Sequence, residues 1–148
     1  MEKEVVISIK GVQKFENAPA DAMELVTQGR LAYDGQRYTL SYVESEMTGL
    51  DGTTTVFQVE PERVTLTRAG EFSSQMIFEE GRRHLSMYET PFGAMAIGVN
   101  TRHLLAELDE KGGEIEIDYA IEIEHTVAGR NTFHIRVKDS GHTPSLKQ

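Results

Sequence analysis

The sequence contains no cysteine and no tryptophan, and only four prolines occur in its 148 residues. Without cysteine the chain can form no disulfide, no thiolate metal site and no cysteine nucleophile. That absence fits a reducing compartment. The N-terminal sequence MEKEVVISIK lacks the basic and continuously apolar regions of a signal peptide. We therefore expect a cytoplasmic protein.

Positive charge is also scarce, since 15 Lys and Arg stand against 24 Asp and Glu and give a formal net charge of −9. A negative field of this kind repels a phosphate backbone and an anionic membrane surface. No apolar run approaches the roughly 20 residues that a membrane-spanning helix needs. We expect neither nucleic acid nor membrane as a partner.

Signatures of catalysis and metal binding are missing as well. The five histidines form no HxH or HExxH pair, so a metal site would require a coincidence in space. No serine lies in a nucleophile elbow, and the glycines form no phosphate-binding loop. The sequence thus gives no positive indication of an enzyme, and it predicts neither a metal site nor a cofactor.

What the chain does contain is a succession of short segments in which apolar and polar residues alternate, separated by turn residues. In the clearest segment, 114–123, Ile or Tyr occupies every second position, and acidic residues occupy most positions between them. Segment 127–138 carries basic residues on its outer face, which favours pairing with that acidic neighbour. The chain is predicted to be all-β, an antiparallel up-and-down meander that closes into a barrel of about 8–10 strands, with a sandwich as the alternative.

We expect one domain, residues 1–138, followed by a polar tail, residues 139–148. Three local features are predicted within it. Gly29 marks a bulge or a sharp bend in the second strand, and Asp34-Gly35 forms a two-residue hairpin turn. Residues 101–110 fit both a helical and a strand period, and we interpret them as strand because no capping box supports a helix.

Four further stretches are distinctive, namely SYVESEMTGLDGTTT at 41–55, VTLTRAGEFSSQMIFEEG at 64–81, HLSMYETPFG at 84–93 and GGEIEIDYAIEI at 112–123. They resemble the YwiB-like family of small bacterial proteins. The resemblance covers nearly the whole chain at similar spacing. It implies a calycin-like β-barrel, related in architecture to lipocalins and fatty-acid-binding proteins, and it implies no activity and no catalytic residues.

A few polar residues fall on the parity that faces the predicted barrel interior. A barrel of calycin type can hold one small ligand, and an inward arginine near carboxylates suits an anionic head group with an apolar tail. The alternative is an internal ion pair of Arg68 with Glu44 or Glu46. The predicted ligand-binding residues are Tyr42, Glu44 and Glu46 of the third strand, Arg68 of the fifth and Tyr88 of the seventh.

Our leading hypothesis is a non-catalytic barrel that binds a small, partly apolar ligand in its interior. One form of this hypothesis has an anionic ligand. The alternative is a barrel filled by its own side chains that acts through its outer surface, as a homodimer or by docking another protein. A hydrolase or isomerase is a more distant alternative. A continuous cavity of roughly several hundred Å³ favours the first hypothesis, and a packed interior favours the second.

Overall fold

The computed structural model describes residues 1–15, 18–44, 52–70, 73–124 and 126–140. In this part of the chain no helix is long and apolar enough to span a membrane. The described strands are β1 (Glu2–Phe15), β2 (Asp21–Tyr33), β3 (Tyr38–Val43), β4 (Thr54–Val59), β5 (Val64–Ala69), β6 (Ser74–Phe78), β7 (Arg83–Thr90), β8 (Gly93–Asp109), β9 (Gly112–Ile123) and β10 (Thr126–Asp139).

Each strand pairs antiparallel with its sequence neighbours, and β1 also pairs with β10, which closes the sheet into a barrel. The closing register places Val5 opposite Asp139 and Phe15 opposite Gly129. Closure satisfies the backbone groups that a terminal strand would otherwise expose at a sheet edge. The predicted up-and-down antiparallel barrel is confirmed.

Alternation of inward and outward side chains fills the barrel. On β9, Ile115, Ile117 and Tyr119 are buried, as the period of two predicts. The acidic outer face of β9 contacts the basic outer face of β10, where His134 Nε2 lies 2.8 Å from Glu114 Oε1. The apolar side chains in the core that are at most 2% exposed are Val5, Ile7, Leu31, Leu40, Phe57, Val64, Leu66, Phe78, Val99, Ile115, Ile117, Tyr119 and Ile135.

Residues 101–109 belong to β8, so their interpretation as strand is confirmed, whereas Glu110 already lies in the following turn. The pairing register between β8 and β9 shifts between Thr101 and His103, which is a bulge. Before the shift Val99 and Thr101 are buried, and after it Leu104 packs against the core. The extra residue at the bulge therefore changes the inward-facing positions from odd to even numbers. The spacing of three residues between the inward-facing Thr101 and Leu104 resembles a helical period.

The predicted two-residue turn at Asp34-Gly35 is wrong, because residues 34–37 all connect β2 to β3. Asp34 Oδ1 accepts hydrogen bonds from the backbone N–H groups of Gln36 and Arg37, each at 2.9 Å. These bonds lower the pKa of Asp34. Gly35 has a left-handed φ of 95°, whereas Asp34 does not. The aspartate side chain thus organises a longer turn in place of the tight primed one.

A glycine is required at position 29 because neighbouring strands approach it closely, and not because of a bulge. The pairing of β1 with β2 runs through Gly29 without a register shift, so the bulge alternative is wrong. A Cβ atom at Gly29 would collide with Ile7 Cδ1 and with the backbone oxygen of Ser41. Pairing of β2 with β3 starts at Arg30. The absence of a side chain at Gly29 therefore lets the backbone of β3 approach β2 while Ile7 occupies the adjacent interior.

The final strand extends beyond the predicted boundary at residue 138. Asp139 still belongs to β10, and the backbone N–H of Ser140 hydrogen-bonds Glu4 O at 3.4 Å. The first two residues of the predicted polar tail are thus held against β1, while residues 141–148 of that tail lie outside the described residues.

We predict that Gly29→Ala lowers the free energy of unfolding by about 1–3 kcal/mol, because the added methyl overpacks the Ile7 and Ser41 contact. Gly11→Ala is the matched control, since its Cβ would meet Phe133 at an ordinary 3.5 Å. Urea unfolding of both variants measures the difference. Equal stability of the two would contradict the close approach at Gly29.

A cavity at one end of the barrel

A cavity of about 640 Å³ lies inside one end of the barrel. Its wall includes Phe15 at the end of β1, Asp21 at the start of β2 and Ile123 at the end of β9. In an up-and-down barrel these strand ends lie at the same end of the molecule. Towards the opposite end, fully buried side chains such as Val5 and Phe78 pack the interior and do not line the cavity. The barrel is therefore packed at one end and hollow at the other.

The structure brings four of the five predicted site residues to this cavity, namely Tyr42, Glu44, Arg68 and Tyr88. Tyr42 and Glu44 are buried, whereas Arg68 and Tyr88 are half-buried. The fifth, Glu46, lies outside the described residues. Shared inward parity on three strands accounts for this convergence, because every second residue of a closed barrel faces the interior.

Glu44 and Arg68 form an ion pair in the cavity wall. Arg68 Nε lies 3.9 Å from Glu44 Oε2, and the hydroxyl of Thr55 donates a hydrogen bond to the same oxygen. Only 2% of the Glu44 side chain is exposed. A carboxylate at this depth needs such partners, since burying an unpaired charge costs several kcal/mol. Of the two ion pairs that the sequence suggested for Arg68, the one with Glu44 is thus present.

Tyr42 adds an uncharged hydroxyl beside this ion pair. Burial raises the pKa of Tyr42, and the negative charge of Glu44 raises it further. The phenol is therefore protonated at neutral pH and keeps its O–H available to the carboxylate.

Two further polar residues of the wall, Tyr119 and Asn131, were not predicted as site residues. Both are buried, and Asn131 Nδ2 donates a hydrogen bond to Tyr119 Oη at 3.1 Å. Burial raises the pKa of Tyr119, although the bond from Asn131 and the charge of Arg68 oppose that change. Asn131 has the inward parity of Phe133 and Ile135 on β10. That shared parity is the signal that could have identified it.

Two buried polar atoms on the cavity wall have no hydrogen-bond partner among the described residues, namely Arg68 Nε and Asn131 Oδ1. A third such atom, Thr101 Oγ1, belongs to a residue that does not line the cavity. Atoms of this kind are few in folded proteins, and each costs about 1–3 kcal/mol. Both atoms are themselves covered by the chain, and their hydrogen-bonding capacity is not met among the described residues.

The remainder of the wall is mostly apolar. Its charged members, among the residues that the structure describes, are Asp21, Glu44 and Arg68. A largely apolar surface with a few convergent polar groups is typical of a small-molecule site. Large apolar side chains on the wall are Ile9, Val12, Phe15, Met23, Leu25, Phe57, Met76, Met95, Ile97, Ile121, Ile123 and Phe133.

The model of a protein family described as a domain of unknown function, DUF1934, matches residues 7–135. The chain belongs to the DUF1934 family. A relative with the name "Uncharacterized beta-barrel protein YwiB", from Bacillus subtilis strain 168, is 24% identical over 122 residues, which are 82% of this chain and 84% of the relative. The predicted resemblance to the YwiB-like family is thereby confirmed.

The crystal structure of the ywiB protein from Bacillus subtilis has the same fold as this DUF1934 chain. The two match with a TM-score of 0.82 at 22% sequence identity, over 94% of this chain and 93% of that one. At this level of sequence identity the similarity supports the barrel architecture and gives no information on a ligand or an activity.

A cluster of potential metal ligands lies on the outer face of this DUF1934 barrel, away from the cavity. Ligand atoms of Glu114, Glu116 and His134 lie within 4.8 Å of one another. Glu114 already contacts His134 at 2.8 Å and Arg136 at 3.5 Å. Cross-strand ion pairing between β9 and β10 accounts for the cluster.

We predict that Arg68→Met lowers the free energy of unfolding by about 2–4 kcal/mol, because it leaves the Glu44 carboxylate buried without its cation. The double variant Arg68→Met/Glu44→Gln should recover part of that loss, since it removes the unpaired charge. Urea unfolding of wild type, both single variants and the double variant gives the coupling free energy. Additive losses would show that the ion pair contributes no coupling.

Proposed function

We propose that this protein binds a small, partly apolar molecule in the cavity at the open end of its barrel and does not act as an enzyme. The observation that carries the proposal is the cavity itself. Its volume of about 640 Å³ lies within the range of about 300–1,000 Å³ that is typical of small-molecule sites. Its apolar wall with a few polar groups would hold the body of a ligand and orient one polar end.

The predicted site residues divide into two roles under this proposal. Arg68 and Tyr88 are half-buried wall residues and would contact the polar end of the ligand. Tyr42 and Glu44 are buried, and Glu44 would position the Arg68 guanidinium by the 3.9 Å ion pair. Glu46 stays a predicted ligand-binding residue, on inward parity alone.

A binding role is favoured over catalysis by the state of the carboxylate in the cavity. Glu44 Oε2 accepts the Thr55 hydroxyl and lies against the Arg68 guanidinium, so that oxygen is not free to act as a general base. The resemblance to calycin-like barrels also supports a carrier or sensor of a small molecule, by analogy of architecture. We further propose that the protein works in the cytoplasm.

The cavity is tested with the fluorescent apolar probe N-phenyl-1-naphthylamine. We expect saturable binding to wild type and a loss of at least about ten-fold in affinity for Ile123→Trp, whose side chain would fill the cavity at the end of β9. Val26→Trp is the matched control, because Val26 is a strand residue, is 69% exposed and does not line the cavity.

Native mass spectrometry of the protein purified gently from its own host provides an independent measurement. An added mass that leaves on denaturation would support the proposal and would give the size of the ligand. Absence of saturable probe binding, or equal binding to wild type and Ile123→Trp, would overturn it.

The outer face of the β7–β8 hairpin supports a second candidate function, self-association. Leu85 and Met87 are 70% and 58% exposed, and Met87 pairs with the exposed Ala96. These three side chains are uncharged, whereas the chain has a net charge of −9. Two copies would repel each other least through such an uncharged strip.

If the strip forms a dimer interface, light scattering during size-exclusion chromatography should give a dimer mass for wild type and a monomer mass for Met87→Lys. Val43→Lys is the control for added surface charge, since Val43 is 61% exposed on β3. A monomeric wild type at the highest concentration measured would contradict this candidate.

A further inference from the structure

We infer that the ligand of this cavity carries a flat aromatic ring, and that this ring packs against Phe133 on the cavity wall. The inference rests on the proposed binding function and names the chemical class of its ligand. It makes the apolar part of the ligand aromatic rather than aliphatic.

The first observation is a row of three aromatic rings that runs from the packed part of the barrel to the cavity wall. The ring centroids of Phe78 and Tyr119 lie 4.8 Å apart, and those of Tyr119 and Phe133 lie 6.0 Å apart. Both distances are typical of favourable ring pairs. Phe78 is fully buried and does not line the cavity, whereas Phe133 is half-buried and does. The row therefore ends at a ring whose uncovered surface borders the cavity.

The second observation concerns the residue that faces this last ring. Phe133 lies opposite Gly11 in the pairing of β1 with β10. A Cβ atom at Gly11 would lie 3.5 Å from two atoms of the Phe133 ring, so the ring packs over the backbone at the glycine. Because Gly11 has no side chain, β1 places nothing over the ring at this position. A ring of the ligand can make the contact that a β1 side chain would otherwise make.

The third observation is the composition of the wall. Of the five tyrosines and six phenylalanines in the chain, six line the cavity. They make up about a quarter of its 23 described wall residues, compared with 7% aromatic residues in the whole chain. Aromatic faces and edges attract another aromatic ring beyond the burial of apolar area, and a saturated ring lacks that attraction. The wall thus favours an aromatic ligand over an aliphatic one of the same size.

Methionines near the open end add to this preference. Met23 and Met95 line the cavity close to the starts of β2 and β8, and Met95 pairs with Tyr88. Met23 Cε lies 3.7 Å from the Cβ position at Gly11, next to the Phe133 ring. A thioether adapts its shape to a flat surface and makes favourable contacts with aromatic rings.

The test compares 2-naphthol with decahydro-2-naphthol, each measured by displacement of N-phenyl-1-naphthylamine. The two compounds have the same bicyclic carbon skeleton and one hydroxyl, and they differ in aromaticity and flatness. Each affinity is referred to the water–octanol partition of the compound, which removes the difference in hydrophobicity. We expect 2-naphthol to bind at least about three-fold more tightly, because one ring pair and the methionine contacts are lost with the saturated compound.

A pair of variants assigns the preference to Phe133. In Phe133→Leu the advantage of 2-naphthol should fall to within about 1.5-fold, since the side chain stays apolar and loses its ring. Ile121→Leu is the matched control, because Ile121 is also a half-buried wall residue and its replacement keeps the Phe133 ring. It should keep the advantage seen with wild type.

Methionine-methyl NMR of wild type gives a readout that needs no variant. Saturating 2-naphthol should shift the Met23 methyl signal by its ring current, and decahydro-2-naphthol should shift it much less. Met87 is the internal reference, since it is 58% exposed on the outer face and does not line the cavity. An unshifted Met23 signal at saturation would contradict the placement of the ring at Phe133.

The outcomes separate this inference from the proposed function. A smaller advantage of 2-naphthol on wild type, tighter binding of the saturated compound, or an unchanged advantage in Phe133→Leu would overturn the aromatic inference while the cavity still binds apolar molecules. No binding of the probe or of either compound would overturn the inference and the proposed function together.

Discussion

The pairing of β1 with β10 is the constraint on which the rest of this structure depends. Once the sheet is closed, every strand residue faces either the interior or the solvent, and a slip of one residue would exchange the two faces. The register from Val5 opposite Asp139 to Phe15 opposite Gly129 therefore fixes which side chains fill the barrel. The opposite charges on the outer faces of β9 and β10 favour the register of the adjacent pairing, in which Arg136 lies opposite Glu114.

The closed barrel is not filled evenly along its length. Branched and aromatic side chains pack one end, whereas at the other end the wall carries buried polar groups around a cavity. There the Glu44 carboxylate pairs with Arg68 and accepts a hydrogen bond from Thr55. Asn131 donates a hydrogen bond to Tyr119. Polar groups placed so deeply reduce the apolar burial available for stability.

Much of the fold and part of the site could be predicted from the alternation of apolar and polar residues along each strand. Inward parity predicted that Tyr42 and Arg68 face the interior, and both line the cavity. The same rule would have identified Asn131, had its parity with Phe133 been weighed as a site feature. The turn at Asp34 was mispredicted because a side-chain oxygen competed with the backbone preference of Asp-Gly, a contest that residue types alone do not settle.

The sequence by itself determined the strands, their alternation and the signs of charge on their outer faces, because these depend on neighbouring residues and on side-chain chemistry. Only the tertiary structure decided where the bulge at Thr101 exchanges the inward parity, and which polar groups meet across the interior. Contacts such as that of Glu44 with Arg68 join strands distant in sequence. Their geometry depends on the tilt and register of the whole closed sheet, which no local pattern specifies.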